Sequence, residues 1–525
     1  MFHYSAIRWI RDTGNGSTLH LSSVASSLTE NQSYKGGFYP AGFHDFVSLL
    51  PGNPIVATNA FVLVTVCLVW PLSCGFLASL ISKNNAQLSF FATLASVTFV
   101  SFPERLVSYG TLWPNAYSYT LIPLALAAVI TLLLPADRFS VRGALLSLVT
   151  LSGVGIAHPS GIFALSVGLL PFLCSFALKI AKRQIILTKT QLYLCVTSVL
   201  IAACTVIKVW MSPLFQNNVA SWKRESISGI KDAILEALFE NQFSNMGIGN
   251  PNPNYLLAIL VIAGFVYLLL TRNNWWLIAA WSIAVYLFAN SVSLRLPLYN
   301  LVGPWYGDPP RLGGIIPLYS TIIVGYGLVG IHNVLLSTAR HYKTLPKERP
   351  VSIAVVAALA LGFFVGTHRF NASGSTLQIQ KNYLYFEGGA KLNQLLSPKE
   401  RNMIERTPID SKSTILGDPR TGVTFYYALR GNPVIFRHLS GSWDSDDVYL
   451  LKNIKNYGSD KKLCRITKRN NIRYLYSDSK LYWPQNQATR QYDSLNNFAK
   501  SLPPSAALAH AGKATLYRLP PCDAK

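Results

Sequence analysis

Long runs of apolar residues dominate the first two thirds of the chain. They cover about 55–81, 88–103, 115–135, 142–157, 160–181, 190–211, 255–271, 275–291, 312–336 and 351–367. Each approaches the ~20 residues that an α-helix needs to cross a bilayer core, and runs of this composition read as transmembrane helices. The shorter ones are accommodated by bilayer thinning or by re-entry. The pattern predicts a mainly α, polytopic transmembrane helical bundle of about ten spans. Within the loop 212–254, Ile227, Ile230, Ile234 and Leu238 recur at spacings of three and four. That spacing predicts an amphipathic helix lying on the interface or covering a cavity. "MGIGNPNPN" (246–254) ends it with Gly and Pro.

From residue 368 the pattern changes. "STILGD" (413–418), "PVIF" (433–436), "IRYLYSD" (472–478) and "TLYRLP" (515–520) predict strands. "GVTFYYALRG" (422–431), "DDVYLLKNIKNYG" (446–458), "KKLCRITKRNN" (461–471) and "DSLNNFAKSL" (493–502) predict helices between them. This alternation implies a small α/β layer. "LGDPRTG" (416–422) reads as an ordinary strand-to-helix turn, with anion binding to its N–H groups as the alternative. The expected domains are 1–54, an N-terminal loop with an interfacial helix; 55–367, the bundle; and 368–525, the α/β domain.

Composition agrees. Of 525 residues only 13% are charged, against about 25% in a typical soluble domain, and mean hydropathy is +0.29. That excludes a soluble enzyme with one large core. The net charge of +23 raises the question of nucleic acid. Much of it sits beside the spans, where cations set topology, so no nucleic-acid partner is expected. When the loops are numbered alternately, one set holds twelve Lys and Arg between Lys83 and Arg349 against Asp137 and Glu348. The other short loops hold Arg105, Arg295 and Arg311 with Glu104 and Asp308. The positive-inside rule puts the first set in the cytoplasm. The N-terminal segment, the 212–254 loop and the C-terminal α/β domain are then extracytoplasmic, on a multi-pass protein of the cytoplasmic (plasma) membrane. An outside N-terminus without an apolar leader leads to the expectation that a first transmembrane helix is missing upstream of Met1.

Five cysteines lie in apolar runs, where a small buried thiol is ordinary. Cys464 and Cys522 lie in the polar C-terminal region, where a disulfide and two unrelated thiols fit equally well.

The outside loops collect the unusual residues. "FHYSAIRWIRDT" (2–13) spaces Phe2, Ile7 and Ile10 as an interfacial helix does. "GGFYPAGFHDF" (36–46) brings Tyr39, His44 and Asp45. "FPERLVSYGTLWPNAYSY" (102–119) brings Glu104, Arg105 and Trp113. "GVGIAHPSG" (153–161) puts His158 in a turn between two spans. "GPWYGDPPRLGG" (303–314) places Trp305, Tyr306, Asp308 and Arg311 at the head of an apolar run. Singly these have plain readings: a cap for His44, rim charges for Glu104 and Arg105, turn bonds for His158, and an aromatic belt for Trp113, Trp305 and Tyr306. Together, on one membrane face, they point to function, because ionisable groups at membrane depth are costly. No H-E-x-x-H, C-x-x-C, Walker A or G-x-G-x-x-G pattern occurs. No metal site is expected, although a divalent cation is compatible with the chemistry below.

The order "FHYSAIRWIRDTG", "FYPAGFHDFVSL", "YGTLWPN", "AHPSG", "PWYGDPPRL" and "ILGDPRTGVTFYYAL" resembles a family of actinobacterial multi-pass membrane proteins. That family is related to the GT-C superfamily of glycosyltransferases of cell-envelope assembly, and the resemblance spans nearly the whole chain. It implies a helical bundle with catalytic loops on the outer face and a soluble C-terminal domain. It implies transfer of a sugar from a polyprenyl-phosphate carrier to a cell-envelope glycan acceptor, in cell wall biogenesis. The family's usual acid follows its first span. Here that position would precede Met1, so either the acid lies upstream or another, such as Asp45, takes the role.

The chemistry asks for two kinds of group. The attacking hydroxyl loses a proton, which a carboxylate takes; Asp308, Asp45 and Glu104 are the candidates, with His44 beside Asp45. The leaving lipid phosphate needs Arg or His donors; Arg311, Arg105 and His158 are the candidates. Tyr39, Trp305, Tyr306 and Trp113 are expected to line the substrate. Two other classes remain. A transporter or flippase predicts ionisable residues at mid-span and paired broken helices, whereas the runs here are almost charge-free. A non-catalytic envelope scaffold needs only the C-terminal domain.

Overall fold

In a computed structural model of the chain, the described residues are 1–28, 38–109, 111–133, 140–189, 207–221, 224–242, 252–293, 296–341, 348–383, 396–439, 441–482 and 487–522, with single positions between 193 and 204. Among the described residues six helices are long and apolar enough to cross a membrane, and a bent pair makes a seventh candidate.

The principal elements are these, in chain order. Helix α1 is Phe2–Thr13 and α2 is Gly42–Ser48. The span α3 is Pro54–Ile81. The bent pair is α4, Ala86–Ser96, and α5, Val100–Ser108, at 49°. The helices α6 (Trp113–Leu133), α7 (Val141–Ala157) and α8 (Pro159–Ala181) follow. Next come α9, Ile230–Leu238, then α10 (Tyr255–Thr271), α11 (Trp276–Ser293) and α12 (Pro309–His341). Helix α13, Glu348–Tyr383, has its apolar part at Pro350–His368. The remainder are α14 (Pro398–Arg406), β1 (Thr414–Gly417), α15 (Ser445–Asn453), α16 (Lys461–Arg469), β2 (Ile472–Asp478), α17 (Asp493–Ala499), β3 (Ala507–Ala511) and β4 (Ala514–Arg518). Nine of the ten apolar runs are helices here, α7 and α10 being the shorter ones. The tenth, 190–211, lies largely outside the described residues.

Contacts divide the chain into two compact units, Met1–Phe61 with Gln380–Lys525, and Val62–Ile379. The N-terminal segment therefore belongs with the C-terminal region in one folding unit. In that unit α1 turns Ala6, Ile7 and Ile10 into the protein core, where an interfacial helix would turn them to lipid. Gly14, at φ +68°, closes α1 with an N–H bond to Ile10 O, the left-handed cap that glycine accepts without strain. The sheet order is β1-β2-β4-β3, with β1 and β2 parallel and the other pairs antiparallel. Side chains alternate along β2. Leu475 joins Leu450, Leu463 and Ile466 of the helices in one apolar cluster. Tyr474 and Tyr476 join Met403, Ile404 and Leu516 in another. β3 was not predicted, and "PVIF" contributes only the bridge Ile415↔Val434, because Pro433 has no N–H to continue a ladder. Cys464 and Cys522 are disulfide-bonded.

The second unit is a helical bundle. α10 and α12 approach closely through glycine: a Cβ on Gly264 would lie 2.0 Å from Ile323 O, and one on Gly327 2.5 Å from Leu260 O. Small residues permit this backbone contact between membrane helices. Gly264→Ala is expected to destabilise the bundle by about 1–3 kcal/mol through overpacking. Gly362→Ala, whose Cβ meets nothing within 4 Å, is expected to be neutral. Melting of the detergent-purified variants checks both. The helix predicted in 212–254 forms as α9 and starts later than the pattern suggests. α9 starts at Ile230, buries Ala233, Glu236 and Ala237, and leaves Ile227, Ile234 and Leu235 exposed. The alanines, not the isoleucines, let it lie close against α11.

Candidate functional site

The loop before α12 is built to present one carboxylate. Residues Tyr299–Trp305 form a 3-10 turn, and Tyr306 and Gly307 follow with φ of 58° and 57°. Left-handed φ at Tyr306 costs about 1 kcal/mol or more, and such strain is commonly kept at functional sites. Asp308 then precedes Pro309 and Pro310, which start α12 where a missing N–H costs nothing. The Asp308 side chain does not cap the helix. It lies between two guanidiniums, with Oδ1 3.2 Å from Arg224 Nη2 and Oδ2 3.3 Å from Arg311 Nε. Asp308 is only 5% exposed. Burial pushes its carboxyl above the usual range, and Arg311 and Arg224 pull it back. Arg311 Nη1 is buried without a hydrogen-bond partner among the described residues. The Arg311 guanidinium lies 5.2 Å from the Tyr306 ring centre.

The floor of this loop is a hydrogen-bonded chain. Trp305 Nε1 donates to Tyr119 Oη at 2.8 Å, and Tyr119 Oη donates to the Arg311 carbonyl at 3.0 Å. Trp305 is buried and packs against Phe163, so it supports the loop from within the bundle. His158 caps α8, accepting from the Ser160 N–H at 3.3 Å through Nδ1, with Ser160 Oγ at 2.7 Å. Asn115 Nδ2 donates to Ser160 Oγ at 3.0 Å. Burial and the Arg311 charge hold His158 down at about 3. Its imidazole is neutral at physiological pH, and with Nδ1 accepting, Nε2–H is the donor it offers.

A second polar cluster sits at the bend between α4 and α5. Glu240, 2% exposed, accepts from Ser101 N (2.7 Å), Ser101 Oγ (2.6 Å) and Gln242 Nε2 (3.1 Å). Burial pushes Glu240 up against these bonds. Glu104 interacts electrostatically with Arg105 and with Glu240. Tyr109 lies between the two clusters: it interacts with Arg105 on one side and with Asp308, Arg224 and Arg311 on the other. Trp113 is buried and donates to Val107 O at 3.2 Å.

The remaining candidates lie in the other unit. His44 is fully buried, with Nε2 2.9 Å from His3 Nδ1 and the rings of Phe2, Tyr39 and Phe43 around it. Burial holds it down at about 3. Asp45, in the first turn of α2, packs so closely on Gly16 that a Cβ there would lie 2.3 Å from Oδ1. Burial raises Asp45 to about 6. A carboxyl raised in the folded state stabilises fully below its ordinary value near 4, and that contribution is lost as pH rises through about 6. Asp45→Asn is therefore expected to melt higher than the parent near neutral pH, by roughly 2–4 °C for each kcal/mol relieved, and to match it at about pH 4. A pH series of melting curves checks this.

"LGDPRTG" holds a buried network around Asp418, with Arg420 Nη1 left without a hydrogen-bond partner among the described residues. Asp418 Oδ1 accepts from the Arg420 N–H at 2.9 Å, the bond that an external anion would need. Asp418 also takes the Arg420 guanidinium at 2.6–3.0 Å and Asn496 Nδ2 at 2.9 Å. Arg420 reaches on to Asp493. Asp418 and Arg420 are 0% exposed, and the turn is a structural staple.

Asp308 with Arg311, and Glu104 with Arg105, are thus placed in polar clusters of one unit, with His158 within reach of the Arg311 charge. Sequence reading missed Arg224, Glu240, Tyr109 and His3. Arg224 and Glu240 flank the amphipathic segment in "KRESISGIKDAILEALFE", and nothing in that periodicity marks them.

Fold and site define an integral membrane protein of helical build with a buried carboxylate at the head of one span, held by an arginine of its own loop and by Arg224. The chain belongs to DUF6541, a family of unknown function, whose model matches residues 1–520. No curated protein matches it. Similar solved structures include ArnT from Cupriavidus metallidurans in the apo state, 12% identical over 98% of this chain and 92% of that one, with a TM-score of 0.49. They also include the archaeal oligosaccharyltransferase AglB from Archaeoglobus fulgidus in complex with an inhibitory peptide and a dolichol-phosphate, at 10% identity, 91% and 65% coverage and a TM-score of 0.44. The Archaeoglobus fulgidus oligosaccharyltransferase in the apo form is similar at 11%, 91%, 65% and 0.47. Likeness at these values carries no residue-by-residue correspondence.

Proposed function

We propose that the chain is an integral-membrane glycosyltransferase that moves a sugar from a polyprenyl-phosphate carrier to a cell-envelope acceptor. The observation that carries this reading is Arg311 Nη1, buried without an acceptor beside a carboxylate that Arg224 also holds. Two guanidiniums against one carboxylate leave one positive charge, the complement of a phosphodiester. Guanidinium forks suit phosphate oxygens, and donors fixed in a dry site stabilise charge that develops on a leaving phosphate. Neutral His158 adds an Nε2–H donor. Asp308 spaces and orients the arginines. Glu104 is the carboxylate of the same unit left to take the acceptor proton. In this reading the Asp308 loop faces outward and residues 380–525 are extracytoplasmic.

Asp308→Asn is expected to lower kcat about tenfold or more with the donor KM unchanged, because orientation is lost while both cations remain. Glu104→Gln tests the base and is expected to lose about 10²-fold or more in kcat. The assay is sugar transfer from a polyprenyl-phosphate sugar in membranes. Movement of the lipid across proteoliposomes with no transfer product would overturn the reading in favour of a flippase.

A further inference from the structure

Helix α16 reads KKLCRITKR. Leu463, Cys464, Ile466 and Thr467 are buried, and all five cations are exposed. Arg465 stands three or four residues from Lys461, Lys462, Lys468 and Arg469, spacings at which like charges repel. Lys461 and Lys462 also occupy the first turn, where the helix pole is positive. Lys468 and Arg469 complement the negative pole of the last turn, and Lys462 Nζ lies 4.2 Å from the Tyr449 ring centre, but Lys461 and Arg465 bring the helix no such gain. The helix is already held by Leu463 and Ile466 in the core, by the Asp460 cap (2.8 and 3.0 Å to Lys462 N and Leu463 N) and by the Cys464–Cys522 bond. Asp446 offsets one flank, 2.8 Å from Arg469 and 3.8 Å from Lys462. Lys461 and Arg465 have no ion pair among the described residues. Exposed Lys452 and Lys455 extend the charge along the preceding segment, and Asp460 is the one acid between 448 and 473.

We propose that this face is a docking surface for a linear anionic polysaccharide. Lys461, Arg465 and Arg469 repeat every four residues, about 6 Å along the helix axis, which suits charges carried at intervals on an extended chain. Among the described residues after Val365 no large apolar side chain is exposed. The face therefore offers no wedge to enter a bilayer and no exposed aromatic to stack on a base. The proposal stands on α16 alone and does not depend on the reading of the membrane unit.

The test titrates the detergent-purified full chain with polygalacturonate, with neutral dextran and with phosphatidylglycerol vesicles. Polygalacturonate is expected to bind and dextran not to bind, with affinity falling at least about tenfold between roughly 50 and 200 mM salt. K461E/R465E/K468E is expected to weaken binding at least about tenfold, and K399E/K513E to leave it unchanged. R465E alone removes the four like-charge contacts, so its melting midpoint should hold or rise while binding falls, which separates recognition from misfolding. Absence of polysaccharide binding, binding unchanged in the triple variant, or preference for the vesicles would each overturn the proposal.

Discussion

Membranes carrying Arg311→Ala are expected to transfer sugar from a polyprenyl-phosphate donor at least about 10²-fold more slowly than the parent, with the protein present at the same level. The effect is large because Arg311 supplies a buried donor that no described group already uses. It is not a folding effect in the first instance: the Arg311 backbone stays fixed by Asp308 O and by the bond its carbonyl accepts from Tyr119. Arg311→Lys keeps the charge and loses the fork, and is expected to recover only part of the rate. Arg224→Ala is expected to lose less, about tenfold, since Arg224 is 37% exposed and water already screens it. Transfer rates of the three variants at matched protein level decide the matter. Full activity in Arg311→Ala would remove the loop from the mechanism.

Arg420→Ala is expected to unfold the unit built from the chain ends. The change leaves Asp418, wholly buried, facing no cation. Removing one partner of a buried pair typically costs about 3–5 kcal/mol, a large part of the stability of most domains. The readout is loss of full-length protein to limited proteolysis, with fragments ending within residues 380–525. Asp418→Asn added to Arg420→Met is expected to recover much of the loss, because the uncompensated charge is gone. The two failures are distinguishable: Arg311→Ala makes folded, inactive protein, and Arg420→Ala makes little protein at all.

The parts legible beforehand were those set by local rules. Among the described residues helices lie at nine of the apolar runs, and six of them, or seven with the bent pair, are long enough to span, because crossing a bilayer is a one-dimensional demand on consecutive residues. β1, β2 and β4 were legible from short β-branched and aromatic runs, and Asp308 with Arg311 from a charged pair at the mouth of a span. The periodicity of the 212–254 segment foretold a helix, which forms as α9, but not the face it turns inward. A 3.6-residue repeat says that a helix has an apolar face but not which neighbour it meets, and α9 buries alanines where close approach to another helix decides.

What the tertiary structure alone decided are the pairings between distant loops. Arg224 reaches Asp308, Glu240 takes both donors of Ser101 across a separation of 139 residues, and His3 meets His44. The joining of residues 1–61 with 380–525 is of the same kind. Apolar length and turn chemistry act within a few residues and are written in the order of the chain. Ion pairs and buried hydrogen bonds act over about 3 Å of space, and which groups come that close depends on how the helices pack.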